Sequence, residues 1–192
     1  MFTLVRPALA MTLAMTALTG IAYPLAVTGI GVALNPSGAT GSVILQDGRA
    51  VGSPLIAQAF SDPGYLQPRP SAVDHATLPS GASNLGPTSA LLAEQVAARR
   101  AAWEAANGSP APADALTASG SGLDPHVSPE NARGQARRIA AARGISEGEV
   151  LRIVAARTEG RWLGLYGERR VNVLLVNLDL DAVARIAPAA GS

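Results

Sequence analysis

The sequence predicts a mixed α/β protein: one N-terminal transmembrane helix, then a single soluble domain with a small sheet and about three helices. Three observations carry that reading. No charged residue lies between Arg6 and Asp47, and Ala8 to Leu34 is apolar except for threonines, glycines, one tyrosine and one proline. A helix crosses the hydrocarbon core with about 20 apolar residues, so this run is long enough to span. Downstream, helix start and stop signals alternate with short apolar runs, and about 140 residues are enough for one buried core. The expected division is anchor 1–34, tether 35–46, soluble domain 47–187 and tail 188–192.

The apolar run is longer than the 7–15 residues of a signal-peptide core, and Pro24 to Leu34 extends it without a polar cleavage region. An uncleaved anchor is therefore expected. Arg6 is the only charge on its N-terminal side, which places the N-terminus in the cytoplasm and the large domain outside. Thr12, Thr16, Gly20, Pro24 and Thr28 recur every fourth residue. Small residues on such a ridge let a partner helix approach closely; the same residues are also simply tolerated in membrane helices.

Asn35 to Gly41 reads as a polar tether. Ser42–Gln46 and Arg49–Ile56 flank Asp47-Gly48, a tight-turn dipeptide, and predict a strand pair. From Phe60 to Pro87 five prolines and little periodicity predict a long loop. Thr88 can cap a helix through Leu91, Leu92, Val96 and Trp103 that stops at Asn107-Gly108. Ser128-Pro129-Glu130 opens a second helix ending near Gly144. Ser146-Glu147-Gly148-Glu149 is a capping box opening a third. Trp162–Tyr166 and the apolar Val171–Leu180 predict strands around Gly167-Glu168, with a frayed end from Ala182.

Composition excludes several chemistries. The chain of 192 residues has net charge +1, no cysteine, and arginine as its only strongly basic residue. Without a basic face it is a poor ligand for nucleic acid. Without lysine it cannot build a Walker A loop. Gly120-Ser121-Gly122 continues as Leu-Asp-Pro rather than a dinucleotide fingerprint, and no serine of that loop sits in a G-x-S-x-G elbow. His75 and His126 are the only histidines and form no H-x-x-x-H pair. No catalytic, metal-ligating or cofactor-binding residue is assigned on these grounds.

Two loops stand out: Ser80–Thr88 (SGASNLGPT) and Thr117–Glu130 (TASGSGLDPHVSPE). Both combine glycines, hydroxyls and a helix start, which suit an anion nest or an oxygen cage, or simply tight packed turns. Ser119, Ser121, Asp124 and His126 also supply hydroxyls, an acid and a base for a membrane-anchored hydrolase or ligand-binding module. Residues so close in sequence rarely reach triad geometry. The alternative is a local turn at Asp124-Pro125 in which His126 bonds nearby.

The soluble region resembles the C subunit family (KdpC) of Kdp-type potassium-transporting ATPases. The residues that carry the likeness are Gly52–Phe60 (GSPLIAQAF), Arg69–Ala72 (RPSA), the two loops above, Thr158–Arg161 (TEGR) and Arg170–Asn177 (RVNVLLVN) after Gly167-Glu168. Ala57 and Ala82 stand where the family often has glycine, and Ser89 where it often has asparagine.

The resemblance implies a non-catalytic, single-pass inner-membrane subunit with a periplasmic domain. Its partners would be a channel-like potassium-binding subunit, an ATP-hydrolysing P-type subunit and a small single-helix subunit, with membrane lipid around the anchor. The family role is complex assembly and a proposed increase of the pump subunit's ATP affinity. ATP and potassium ion are then handled by the partners, with ATP contact by this subunit only proposed for the family. A domain outside the cytoplasm and lacking a phosphate-binding lysine favours an indirect effect. Partner contacts are expected on Thr12, Thr16, Gly20, Pro24 and Thr28 in the anchor, and on Ser83, Asn84, Ser119, Ser121, Asp124 and His126 in the loops. If Asp124 and Glu130 make a local negative field, that field concentrates potassium there.

Overall fold

The computed structural model describes residues 2–186, with side chains from Thr3 to Val183. The chain divides into two compact units, one up to Val51 and one from Gly52 onward.

The first unit is dominated by helix. α1 (Phe2–Met15) runs through a π-helical segment (Thr16–Ala22) into α2 (Tyr23–Leu34). Thr3–Leu34 is long and apolar enough to cross a membrane, and its apolar window buries nothing within the protein. Pro24 accounts for the π segment. It has no N–H for Gly20 C=O and its ring would collide with that carbonyl; widening the preceding turn, with Tyr23 N–H reaching back to Leu18 C=O, removes the conflict. Asn35 ends α2 and starts a single turn, α3 (Pro36–Ala39), by accepting from Gly38 N–H at 3.0 Å. The segment read as a tether therefore begins with a capped helical turn. β1 (Ile44–Gln46) and β2 (Arg49–Gly52) pair across Asp47 (φ 52°) and Gly48 (φ 75°), the left-handed pair that a two-residue hairpin requires.

The second unit packs helices against a small sheet. α4 (Ala90–Asn107) and α5 (Ala113–Leu116) precede β3 (His126–Val127). α6 (Pro129–Gly134), α7 (Ala136–Arg143), α8 (Glu147–Ala156), β4 (Thr158–Glu159), β5 (Arg170–Asn172) and α9 (Val173–Ile186) follow. β5 is the central strand, antiparallel to β3 (Val127 opposite Val171) and to β4 (Thr158 opposite Val171). The core gathers Leu66, Val127, Ile139, Val150, Val154, Val171, Val176 and Leu180.

Several expectations are corrected in detail. The first helix is capped by Ser89, not Thr88: Ser89 Oγ accepts from Leu92 N–H. The helix from Ser128 to Gly144 is two helices, α6 and α7, meeting at Gln135. The apolar run Val171–Leu180 is a strand only to Asn172 and then becomes α9. Asn172 Oδ1 caps the change by accepting from Leu175 N–H at 3.2 Å. Val173, Val176, Asn177 and Leu180 are buried at helical spacing, so tertiary packing overrides the strand preference of a valine-rich run. The helix also carries Ala182–Ile186, where fraying was expected; the tail 188–192 lies outside the described residues. Trp162–Tyr166 forms one bridge around a turn at Leu163 (φ 51°) and Gly164 (φ 74°), too tight for a strand.

The Phe60–Pro87 stretch has no regular element, yet part of it is pinned by side-chain amides. Asn177 Oδ1 accepts from Leu66 N–H at 2.8 Å, and its Nδ2 donates to Leu66 C=O at 2.9 Å. Gln135 does the same to Gln67, at 2.9 and 3.0 Å. Two buried amides thus take the place of a neighbouring strand.

Candidate functional site

The Thr117–Glu130 loop is organised by hydrogen bonds that end inside the protein. Ser119, 2% exposed, accepts from Asp124 N–H at 3.2 Å and pairs with Ser121 Oγ at 3.1 Å. Ser121 Oγ accepts from Leu123 N–H. Asp124 Oδ1 accepts from His126 N–H at 3.0 Å, the local turn expected at Asp124-Pro125, while its Oδ2 holds Arg69 Nη1 at 3.0 Å. Arg69 Nη2 also reaches Thr117 Oγ1 at 3.2 Å. The Asp124 charge is thereby matched by Arg69, which leaves little net field from it to concentrate a cation.

The residues of RPSA fasten this loop from the other side. Ser119 N–H donates to Pro70 C=O at 2.8 Å, and Ser71 Oγ donates to Gly122 C=O at 2.8 Å. Gly122 (φ 74°) has no room for a side chain: a Cβ there would lie 2.6 Å from Val73 Cγ2 and 2.7 Å from Gly81 C=O. The same contact brings the Ser80–Thr88 loop against the Thr117–Glu130 loop. Ser83 is half-buried and Asn84 exposed (φ 53°). At the far end Asp114, which gave no signal in the sequence, accepts from both N–H and Oγ of Ser128 at 2.7 and 2.9 Å while Ser128 caps α6.

His126 stands in β3 with Nδ1 3.7 Å from Asp124 Oδ1. Burial pushes its pKa below the ordinary value, Arg170 adds to that, and Asp124 and Glu159 oppose it. Among the described residues neither Ser119 nor Ser121 hydrogen-bonds the His126 ring, so the loop does not assemble the nucleophile and base of the hydrolase alternative. No group of three or more metal-ligating side chains occurs there either.

In the anchor, the structure alters the ridge. In an uninterrupted α-helix the sixteen steps from Thr12 to Thr28 leave the two ends roughly 160° apart. The π segment holds Thr16 and Gly20 and fits an extra residue into its turn, winding the ridge back by about 100°. Thr12, Thr16, Gly20, Pro24 and Thr28 are all exposed.

Sequence reasoning missed two features. Gln135 and Asn177 are polar residues inside buried helical stripes, and that position was the available signal. Trp162, Leu163, Leu165 and Tyr166 are 66–76% exposed, on a tip closed by the Trp162–Tyr166 bridge. A run of apolar residues beside glycine reads as a buried strand, so its exposure was hidden.

The family model for "KdpC: K+-transporting ATPase, c chain" matches residues 5–182. Among curated relatives, a potassium-transporting ATPase KdpC subunit from Cereibacter sphaeroides is 61% identical over 182 residues, covering 95% of this chain and 98% of the relative. The subunit of the same name from Sorangium cellulosum is 56% identical, covering 92% and 96%. That from Methylorubrum populi is 50% identical, covering 96% and 100%. With a family match over nearly its whole length and relatives this similar, the chain belongs to the KdpC family, the c chain of the K+-transporting ATPase.

Proposed function

We propose that this chain is a non-catalytic accessory subunit of an ATP-driven potassium uptake complex, acting by binding. It resides in the inner membrane as a single-pass protein, N-terminus cytoplasmic and main domain periplasmic. Its helix docks along the Thr12–Thr28 ridge, and its domain packs on the channel-like subunit. The ATP-hydrolysing subunit and a small single-helix subunit complete the assembly. Any rise in ATP affinity reaches the pump subunit indirectly, as a coupling free energy between sites.

The observation that carries the reading is the Trp162–Tyr166 tip. Four large apolar side chains on one turn, each 66–76% exposed, are a surface that water does not favour. Arg169 beside it has no carboxylate partner among the described residues, whereas Arg161 and Arg170 are paired with Glu168 and Glu159. An apolar tip with one free cation suits an apolar, acid-rimmed recess on another subunit.

The test is photo-crosslinking from Leu163 and from Leu165 in membranes that co-express the other ATPase subunits, with exposed Ala155 as control. Adducts with a subunit of the complex from both tip positions are expected, together with loss of co-purification in a Trp162→Ser, Leu165→Ser double variant. Unchanged co-purification and no adduct to any subunit would contradict the proposal.

A further inference from the structure

A cavity of about 440 Å³ opens between α4, the segment from Ala59 to His75, and Gln135 at the α6–α7 junction. Its walls combine apolar surface, from Phe60, Trp103, prolines and alanines, with Arg69, His75 and Arg99; no acidic side chain lines it. Three nitrogens of these lining residues are buried without a partner: Arg69 Nε, His75 Nε2 and Trp103 Nε1. Buried polar groups ordinarily have one; Arg69 Nε and Trp103 Nε1 are donors that lack an acceptor, and His75 Nε2 joins them in the tautomer that carries its proton there.

The charges around the cavity agree. Arg69 is neutralised by Asp124. Arg99 is held by Leu116 C=O at 3.0 Å and Gln95 Oε1 at 3.2 Å, and it has no carboxylate among the described residues. Arg138 lies behind the wall, donating to Asn107 Oδ1 and Gln135 Oε1, again with no carboxylate. Burial lowers the Arg138 pKa, the sign of a cation without compensating negative charge. Donors under net positive charge, with no carboxylate among the lining residues, complement an oxyanion. The apolar walls select one that carries an apolar body.

We infer that the cavity bounded by α4 and the Phe60–His75 segment binds a small organic carboxylate, headgroup toward Arg69, His75, Arg99 and the Trp103 indole. The site is independent of the subunit contacts proposed above. The three free nitrogens are each covered to within 1 Å². Binding therefore includes a rotation of the Trp103 ring that presents its N–H to the carboxylate. The volume lies within the usual range for small-ligand sites, about 300–1,000 Å³.

The experiment uses the full chain in mild detergent, ¹⁵N-labelled, titrated with sodium benzoate, sodium acetate and sodium phosphate at constant ionic strength. Trp103 and Trp162 are the only indoles, and Trp162 is an internal control. The expected result is a saturable downfield shift of the Trp103 indole N–H with benzoate in the millimolar range or below, weaker with acetate, and none at Trp162. Arg99→Gln should weaken benzoate about tenfold, the loss of one charge-assisted contact. Trp103→Phe, which keeps the apolar wall and removes only the N–H, should weaken it less; binding is then read by calorimetry. Thermal melts of both variants without ligand check that they fold. No saturable shift at Trp103 means that the cavity takes up no carboxylate and overturns the site. A response to phosphate but not benzoate overturns the carboxylate assignment. Undiminished affinity in folded Arg99→Gln overturns the headgroup placement.

Discussion

Asn177 offers a direct measure of how much the side-chain amides contribute to the fold. Its side chain makes both hydrogen bonds to Leu66, at 2.8 and 2.9 Å, and the two residues are 2% and 0% exposed. Asn177→Leu keeps the branched shape, though it is bulkier, and removes both partners, leaving a buried N–H and C=O unpaired. Each such group costs about 1–3 kcal/mol, so the pair costs about 2–6 kcal/mol. The added apolar surface returns about 1 kcal/mol, for a net loss of about 3 kcal/mol, a large part of a typical domain's stability. At about 3 °C per kcal/mol for a domain of this size, the melting temperature falls by about 9 °C. The assay is urea and thermal unfolding of the full chain in mild detergent, followed by tryptophan fluorescence, since both tryptophans lie in the unit from Gly52 onward. A loss below about 1 kcal/mol would refute the reasoning, because it means that Leu66 finds other partners at little cost.

Three further outcomes are expected. Gly122→Ala, at φ 74° with backbone and side-chain atoms within 2.7 Å of the new Cβ, should destabilise far more than Gly144→Ala, at φ 66° in open space; paired melting curves decide, and equal losses would mean that only the backbone angle matters. Ser146→Ala removes the cap on Glu149 N–H and should cost about 1 kcal/mol, read from the urea midpoint. His126 has a folded pKa below its ordinary 6.5, so its contribution is fully present above that pH. It is lost as pH falls, because the unfolded chain takes up the proton first. The urea midpoint of His126→Gln should therefore decline less between pH 7 and pH 5 than that of the parent chain, and parallel declines would remove His126 from the acid response.

Local signals proved legible where the physics is local. Ser128 and Ser146 cap helices because a hydroxyl there meets an N–H three residues on, whatever the surroundings. Gly108 and Gly144 end helices at positive φ, as glycine after a periodic run should. Asp47-Gly48 makes its turn for the same reason. The failures fall where packing chooses between options that the chain leaves open. Val171–Leu180 is apolar enough for a strand or a buried helix; Asn172 Oδ1 and the core behind Val173, Val176 and Leu180 choose the helix. The TASGSGLDPH loop was conspicuous as composition, yet its Ser119 and Gly122 are engaged by Pro70, Ser71 and Val73, some fifty positions away.

By itself the sequence determined the long uncharged apolar helix, the caps at Ser128 and Ser146, the hairpin turn and the family, because each rests on residues close together in the chain or on a match of ordered motifs. Only the tertiary structure decided that two buried amides replace a strand beside Leu66 and Gln67. It alone decided that Asp124 pairs with Arg69, that Trp162–Tyr166 is left exposed by the rest of the chain, and that three partnerless nitrogens belong to residues lining one cavity. Those are properties of distance and burial between remote residues, which the order of a chain does not record.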